Sequence, residues 1–142
     1  MSTVKDILEN ASGEIWSVSS EQSVLEAVRL MAEKGIGAVL VMDDGRLTGI
    51  LSERDYARKV ILEDRASHNT AVRDIMTRDP VTTTRAAAVG GCLSLMTERR
   101  FRHLPVVEDG IVLGIVSIGD LVKAVIKEQQ YTIDQLEHYI AG

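Results

Sequence analysis

The sequence predicts an α+β fold: two βαββα repeats, related by a pseudo-twofold axis and packed through their sheets. The first observation behind this is a duplication. Sliding the 142-residue chain on itself by 65 positions sets Asp43-Asp-Gly-Arg-Leu-Thr-Gly-Ile-Leu-Ser-Glu-Arg-Asp55 over Glu108-Asp-Gly-Ile-Val-Leu-Gly-Ile-Val-Ser-Ile-Gly-Asp120. Between 24–60 and 89–125 about a third of the positions are identical, and a fixed internal offset is the mark of a repeat architecture. The second observation is the pair of Asp-Gly dipeptides, Asp44-Gly45 and Asp109-Gly110. Each lies between two short runs rich in β-branched residues, which is a tight-hairpin signal. The third is size. A hairpin with two helices cannot bury its sheet face alone, so two copies are needed to make a core.

The elements follow in order. Val4-Lys-Asp-Ile-Leu8 forms a leader, with an echo at Val72-Arg-Asp-Ile-Met76. Ser23–Lys34 places Val24, Ala27, Val28 and Met31 on one face at helical spacing. Ala38–Met42 and Leu47–Leu51 read as the first hairpin, and a helix opens at Ser52. Glu63–Thr70 is a polar linker, and Asp79-Pro80 marks the start of the second copy. There, Arg85-Ala-Ala-Ala88 stands where a helix cap is expected, so that helix should be less well fixed at its start. Gly90-Gly91 sit inside the same helix, at a cost of about 1 kcal/mol each relative to Ala. His103–Val107 and Val112–Val116 form the second hairpin, with a helix opening at Ser117. Thr132-Ile-Asp-Gln135 has the pattern of a capping box, predicting a short extra helix over Tyr131–Ile140. The expected organisation is therefore a first repeat with its leader over 1–66, a second repeat over 67–130, and a helical tail over 131–142.

The residues richest in chemistry are Gly49-Ile-Leu-Ser52-Glu-Arg-Asp55 and Gly114-Ile-Val-Ser117-Ile-Gly-Asp120, each where a strand passes into a helix. Two readings stay open. Ser followed three residues later by Asp is a reciprocal helix cap. The same helix N-terminus offers free N–H groups and a positive dipole to a phosphate, and the carboxylate can accept both hydroxyls of a ribose.

With these motifs, the His103-Leu-Pro-Val-Val107 strand and the Val-Lys/Arg-Asp-Ile leaders, the chain resembles the cystathionine β-synthase (CBS) domain family from Val4 to about Val125, as a tandem pair or Bateman module. The resemblance implies clefts for an adenine nucleotide, AMP first, with ATP, ADP or NAD as further choices, and a role as an energy or redox-state sensor. Asp55 and Asp120 would hold ribose hydroxyls. Ser52 and Ser117 would meet phosphate or ribose, with Arg54 available to phosphate. Ala38 and Leu104-Pro105 would line the adenine slot, closed by Val18, Thr82 and Thr83. The two clefts are expected to differ. The first presents Gly37-Ala38 and Glu53-Arg54, suiting a longer or more phosphorylated ligand. The second presents Arg102-His103 and Ile118-Gly119, suiting AMP with Arg102 on its phosphate. A homodimer is expected, through an apolar face including Ala27, Met31, Leu95 and Met96, extended by Ile133, Leu136 and Ile140. An effector protein of unknown identity would read the module. The alternative is a structural interaction module whose motifs are only caps.

Composition excludes other classes. The apolar share is 45%, the charged share 26%, and the net charge −5, which argues against nucleic acid as a partner. Asp6 and Glu9 interrupt the place where a secretory leader would be apolar, and the longest apolar runs fall far short of the ~20 residues of a membrane span. The single Cys92 fits a reducing compartment, so the expectation is a soluble cytoplasmic protein. Cys92 itself reads as a small buried hydrophobe. His68, His103 and His138 lack metal-ligand spacing, and no phosphate loop or Ser/His/Asp set is present, so neither metal nor catalysis is expected.

Overall fold

The computed structural model describes residues 2–11 and 13–141, so the last position of the expected tail lies outside them. The helices are α1 (Val4–Glu9), α2 (Val24–Lys34), α3 (Glu53–Tyr56), α4 (Val89–Arg99) and α5 (Ile118–Ala141). The strands are β1 (Ser17–Val18), β2 (Ala38–Asp43), β3 (Arg46–Ser52), β4 (Thr77–Arg78), β5 (His103–Glu108) and β6 (Ile111–Ser117). The α+β class holds, and both hairpins fall where the repeats put them. At both turns Asp and Gly carry positive φ, 51° and 76° for Asp44 and Gly45 and 53° and 75° for Asp109 and Gly110. Two successive left-handed residues make a turn whose twist matches that of the flanking strands, which is why Asp-Gly stands there.

The chain forms two compact units. One holds Ile15–Val81 with the hairpin tip Asp109–Val112; the other holds Met1–Glu14, Thr82–Glu108 and Leu113–Gly142. Compactness therefore divides the chain differently from the boundary at 66. The leader of the first copy belongs with the second copy, and the second leader with the first. Backbone hydrogen bonds explain the exchange. Thr3 bridges Ala88, and Val4 N–H donates to the Ala87 carbonyl at 3.0 Å. In the same way Ala71 bridges Ser23, and Val72 N–H donates to Gln22 at 2.9 Å. Each leader satisfies the free backbone groups that precede a helix of the other copy.

In the unit built on the first copy, the sheet runs β1-β2-β3-β4, with β1 parallel to β2 and the other pairs antiparallel. Its core gathers Val18, Ala27, Met31, Val39, Val41, Leu51 and Ile75 under α2. Ser23 caps α2 by accepting from Glu26 N–H, and Gly35 ends it in the left-handed region. In the unit built on the second copy, β5 and β6 pair, and Thr83 bridges Val106 in parallel, the counterpart of Val18 beside Val41. The α4 start has no side-chain cap, as its sequence implies. The leader holds it instead, Val89 N–H donating to the Ser2 carbonyl at 3.1 Å.

Three expectations need correction. Ala27, Met31 and Met96 are not part of an exposed face: all three are buried, because the apolar side of α2 and α4 turns inward. The tail is not a separate helix but the second half of the 24-residue α5. No Pro, and no Gly after Gly119, interrupts it before its end, and the Thr132 hydroxyl bonds back to the Glu128 carbonyl at 3.1 Å rather than capping forward. Finally, the helix opening at Ser52 is α-helical for one turn and then widens to a π-turn over Ala57–Ile61.

Candidate functional site

Each candidate set of side chains lies within one unit. In the first copy the β2–β3 register sets Ala38 opposite Ser52, and Glu53 N–H donates to the Gly37 carbonyl at 3.0 Å. These bonds pin the strand end beside the start of α3. Ser52 and Asp55 form a full capping box: Asp55 N–H donates to Ser52 Oγ at 3.2 Å, and Ser52 N–H donates to Asp55 Oδ2 at 3.0 Å. The other carboxylate oxygen, Oδ1, lies 3.4 Å from Lys59 Nζ, which also donates to the Ile75 carbonyl at 3.0 Å. Asp55 thus has both oxygens engaged by its own chain. Arg54 is exposed on the first turn of α3, and Val18 is a core residue.

The second copy repeats this geometry with one difference. Ile118 N–H donates to the Arg102 carbonyl at 2.9 Å, placing Arg102 and His103 beside the start of α5. Ser117 N–H donates to Asp120 Oδ2 at 2.8 Å, and Asp120 N–H to Ser117 Oγ at 3.1 Å. The position equivalent to Lys59 is Ala124, so the lysine that engages Asp55 Oδ1 has no counterpart four residues after Asp120. Thr83 is fixed to β5 by two backbone bonds, its N–H donating to the Pro105 carbonyl and its carbonyl accepting from Val107 N–H, both at 2.9 Å. Its hydroxyl lies 3.6 Å from the buried Cys92 Sγ. Leu104 and Pro105 are buried, His103 is half-buried, and Thr82, Arg102 and Gly119 are exposed.

Asp120 opens onto a cavity of about 670 Å³ between α1 and α5, in the range of small-molecule sites. Ile7 and Leu8 of α1 and Ile115 of β6 give it an apolar wall, while Lys123 and Lys127 of α5 contribute two ammonium groups. Asp6 and Glu128 also border it. The Thr3 backbone N–H holds the Asp6 pKa below the usual value, and the Ser2 backbone N–H does the same for Glu128. The rim therefore carries three carboxylates, Asp6, Asp120 and Glu128, against two lysines.

Of the residues expected to bind ligand, Asp120 borders this cavity, while Ser117, Thr83, His103, Leu104 and Pro105 do not line it; the leader that walls it was not among those expected. Sequence reasoning also missed Lys59, whose spacing of four residues from Asp55, contrasted with Ala124 after Asp120, was visible in the 65-residue alignment. Among the described residues no group of three or more His, Cys, Asp or Glu is placed to hold a metal, and no helix is long and apolar enough to cross a membrane.

Comparisons with known proteins agree with the repeat. The sequence model of the CBS domain matches residues 3–62 and 72–127. The mitochondrial CBS domain-containing protein CBSX3 of Arabidopsis thaliana is 38% identical over 149 aligned positions, covering 99% of this chain and 72% of that protein. Among solved structures, the CBS-domain protein ATU1752 of Agrobacterium tumefaciens superposes with a TM-score of 0.82 at 38% identity, covering 87% of this chain and 98% of that one. The CBS domain pair of protein MJ0100, in complex with 5′-methylthioadenosine and S-adenosyl-L-methionine, superposes with a TM-score of 0.80 at 27% identity, covering 90% and 98%.

Proposed function

The chain belongs to the CBS domain family, as a pair of its repeats, and on that premise we propose that it is a non-catalytic regulatory module. Its second copy binds an adenosyl ligand carrying no more than one phosphate, AMP being the first choice. The observation that carries this is the contrast between the two carboxylates. Asp55 is closed by Lys59, whereas Asp120 accepts at Oδ2 from Ser117 N–H and borders a cavity with an apolar wall and two lysines. In that cavity the base lies against Ile7, Leu8 and Ile115, the ribose hydroxyls donate to Asp120, and Lys127 meets the phosphate. Three carboxylates on the rim oppose a polyphosphate chain, which favours AMP or a cationic adenosyl compound over ATP. That MJ0100 binds adenosyl compounds supports the class of ligand.

The module works as a homodimer in the cytoplasm, and ligand state is passed to an effector protein as a shift in an existing conformational equilibrium, which requires differential affinity for the two states. A purely structural role has one observation in its favour, since both Asp residues already act as caps. Calorimetric titration with AMP, ATP, NAD and S-adenosylmethionine separates the two. Saturable binding, with AMP tighter than ATP, is expected. An absence of binding by all four would leave only the caps.

A further inference from the structure

The second half of α5 extends with its side chains in solvent, and the exposed apolar residues on it are ordered. Val122, Ile126, Ile133, Leu136 and Ile140, with Gln129 between, fall at alternating spacings of four and three, the a/d seam of a heptad. Their exposures are 43%, 60%, 47%, 57% and 82% for the five apolar members. The opposite side of the helix is already used, since Asp120, Ala124, Lys127 and Tyr131 face the cavity beside α1, with the exposed Lys123 at its rim, flanking the seam. The seam is the free side.

We propose that α5 pairs with α5 of a second copy of this chain as an antiparallel two-stranded coiled coil, with Ile126 facing the partner's Leu136. This rests on the homodimer proposed above and specifies how it is made. In that register every seam residue finds a partner: Val122 meets the partner's Ile140, and Gln129 the partner's Ile133. Charge decides the direction. At the positions flanking the seam, antiparallel pairing sets Lys123 beside the partner's Glu137, and symmetry makes this pair twice. It also sets Val125 beside the partner's Tyr139. A parallel pair would instead align Val125 with Gln130 and Thr132 with Glu137, with no opposite charges, and would stack Gln129 on Gln129. The antiparallel form also lays each exposed tail along the first turns of the partner's α5, covering Tyr139 and Ile140, the most exposed of the large apolar side chains among the described residues.

Cross-linking reads the direction. Ile126→Cys and Leu136→Cys chains are oxidised separately and as an equimolar mixture; the native Cys92 is buried and stays out of the reaction. The antiparallel pair yields a disulfide dimer only in the mixture, because identical positions lie about 15 Å apart along the axis. Disulfide dimers from each variant alone, and none specific to the mixture, would establish a parallel pair and overturn the proposal. Sedimentation of the unmodified chain and of Leu136→Asp completes the test. A dimer that becomes a monomer on substitution is expected. A dimer unaffected by Leu136→Asp would keep the homodimer and refute this pairing, and a monomeric unmodified chain at micromolar concentration would refute both.

Discussion

Gly49 and Gly114 occupy the same place in the two copies, yet substituting them should have different costs. A Cβ added at Gly49 would stand 2.6 Å from Met76 Sδ and 2.9 Å from the Thr77 carbonyl oxygen, well inside the ~3.5 Å of an ordinary contact. The sulfur can swing away, but the carbonyl belongs to the backbone of β4. That strand is held by the pairing of Gly49 with Arg78 and of Ile50 with Thr77. Gly49→Ala therefore has to push β4 off the sheet edge. Overpacking costs roughly 1–3 kcal/mol, and a backbone obstacle places this case at the upper end. At about 2–4 °C per kcal/mol for a chain of this size, melting should fall by roughly 6–12 °C. At Gly114 the added Cβ meets only Leu8 Cδ2, at 2.8 Å, and the next atoms lie at 4.0 Å. A leucine rotamer change relieves that contact for about 1 kcal/mol, so melting should fall by no more than about 4 °C. Because Leu8 walls the cavity, the Gly114→Ala loss should appear mainly in ligand affinity. Differential scanning calorimetry of the two variants decides the matter. Equal losses, or a larger loss for Gly114→Ala, would refute the reasoning.

Gly90→Ala and Gly91→Ala should each stabilise the chain by about 0.5–1 kcal/mol, since both sit in α4 and an added Cβ at either meets nothing within 4 Å. A lower melting temperature, or a weaker dimer, would mean that a partner surface covers them. Arg100 ends α4 with φ 61°, the position that Gly35 fills in α2, so Arg100→Gly should raise stability by roughly 1 kcal/mol in urea titration; no gain would contradict the strain. Asp43 accepts from the Ser20 backbone N–H at 3.0 Å and from the Thr48 hydroxyl at 2.9 Å, and the Ser20 bond holds its pKa below the usual value. A depressed folded pKa gives stability that is present at neutral pH and lost as pH falls through that pKa. The melting gap between the native chain and Asp43→Asn should accordingly narrow below the ordinary aspartate range. A gap that stays constant down to pH 3 would refute this.

Much of the architecture was legible because the repeat tests each local signal twice. The Asp-Gly turns, the hairpins and the Ser–Asp caps each occur in both copies, and all are set by contacts within a few residues. What escaped the sequence depends on distance. The exchange of leaders rests on Thr3 beside Ala88 and Ala71 beside Ser23, pairings that no local periodicity encodes. The same limit explains Ala27, Met31 and Met96. Helical spacing identifies an apolar face but not what covers it, and here the chain's own core does. At Thr132 a local pattern was present but outweighed. Strong helix formers on both sides let α5 run through, and the capping box was not used.

The most direct measurement is the affinity of AMP for the native chain, Asp55→Ala and Asp120→Ala, taken by calorimetry beside a thermal melt of each. Both variants lose a cap and should lose about 1 kcal/mol of stability. Asp120→Ala alone also removes a charged partner of the ribose hydroxyls, at about 1.5–3 kcal/mol per bond, so its affinity should drop at least about tenfold while that of Asp55→Ala stays close to the native value. Lower melting with unchanged AMP affinity in Asp120→Ala would show that its carboxylate is a cap and nothing more.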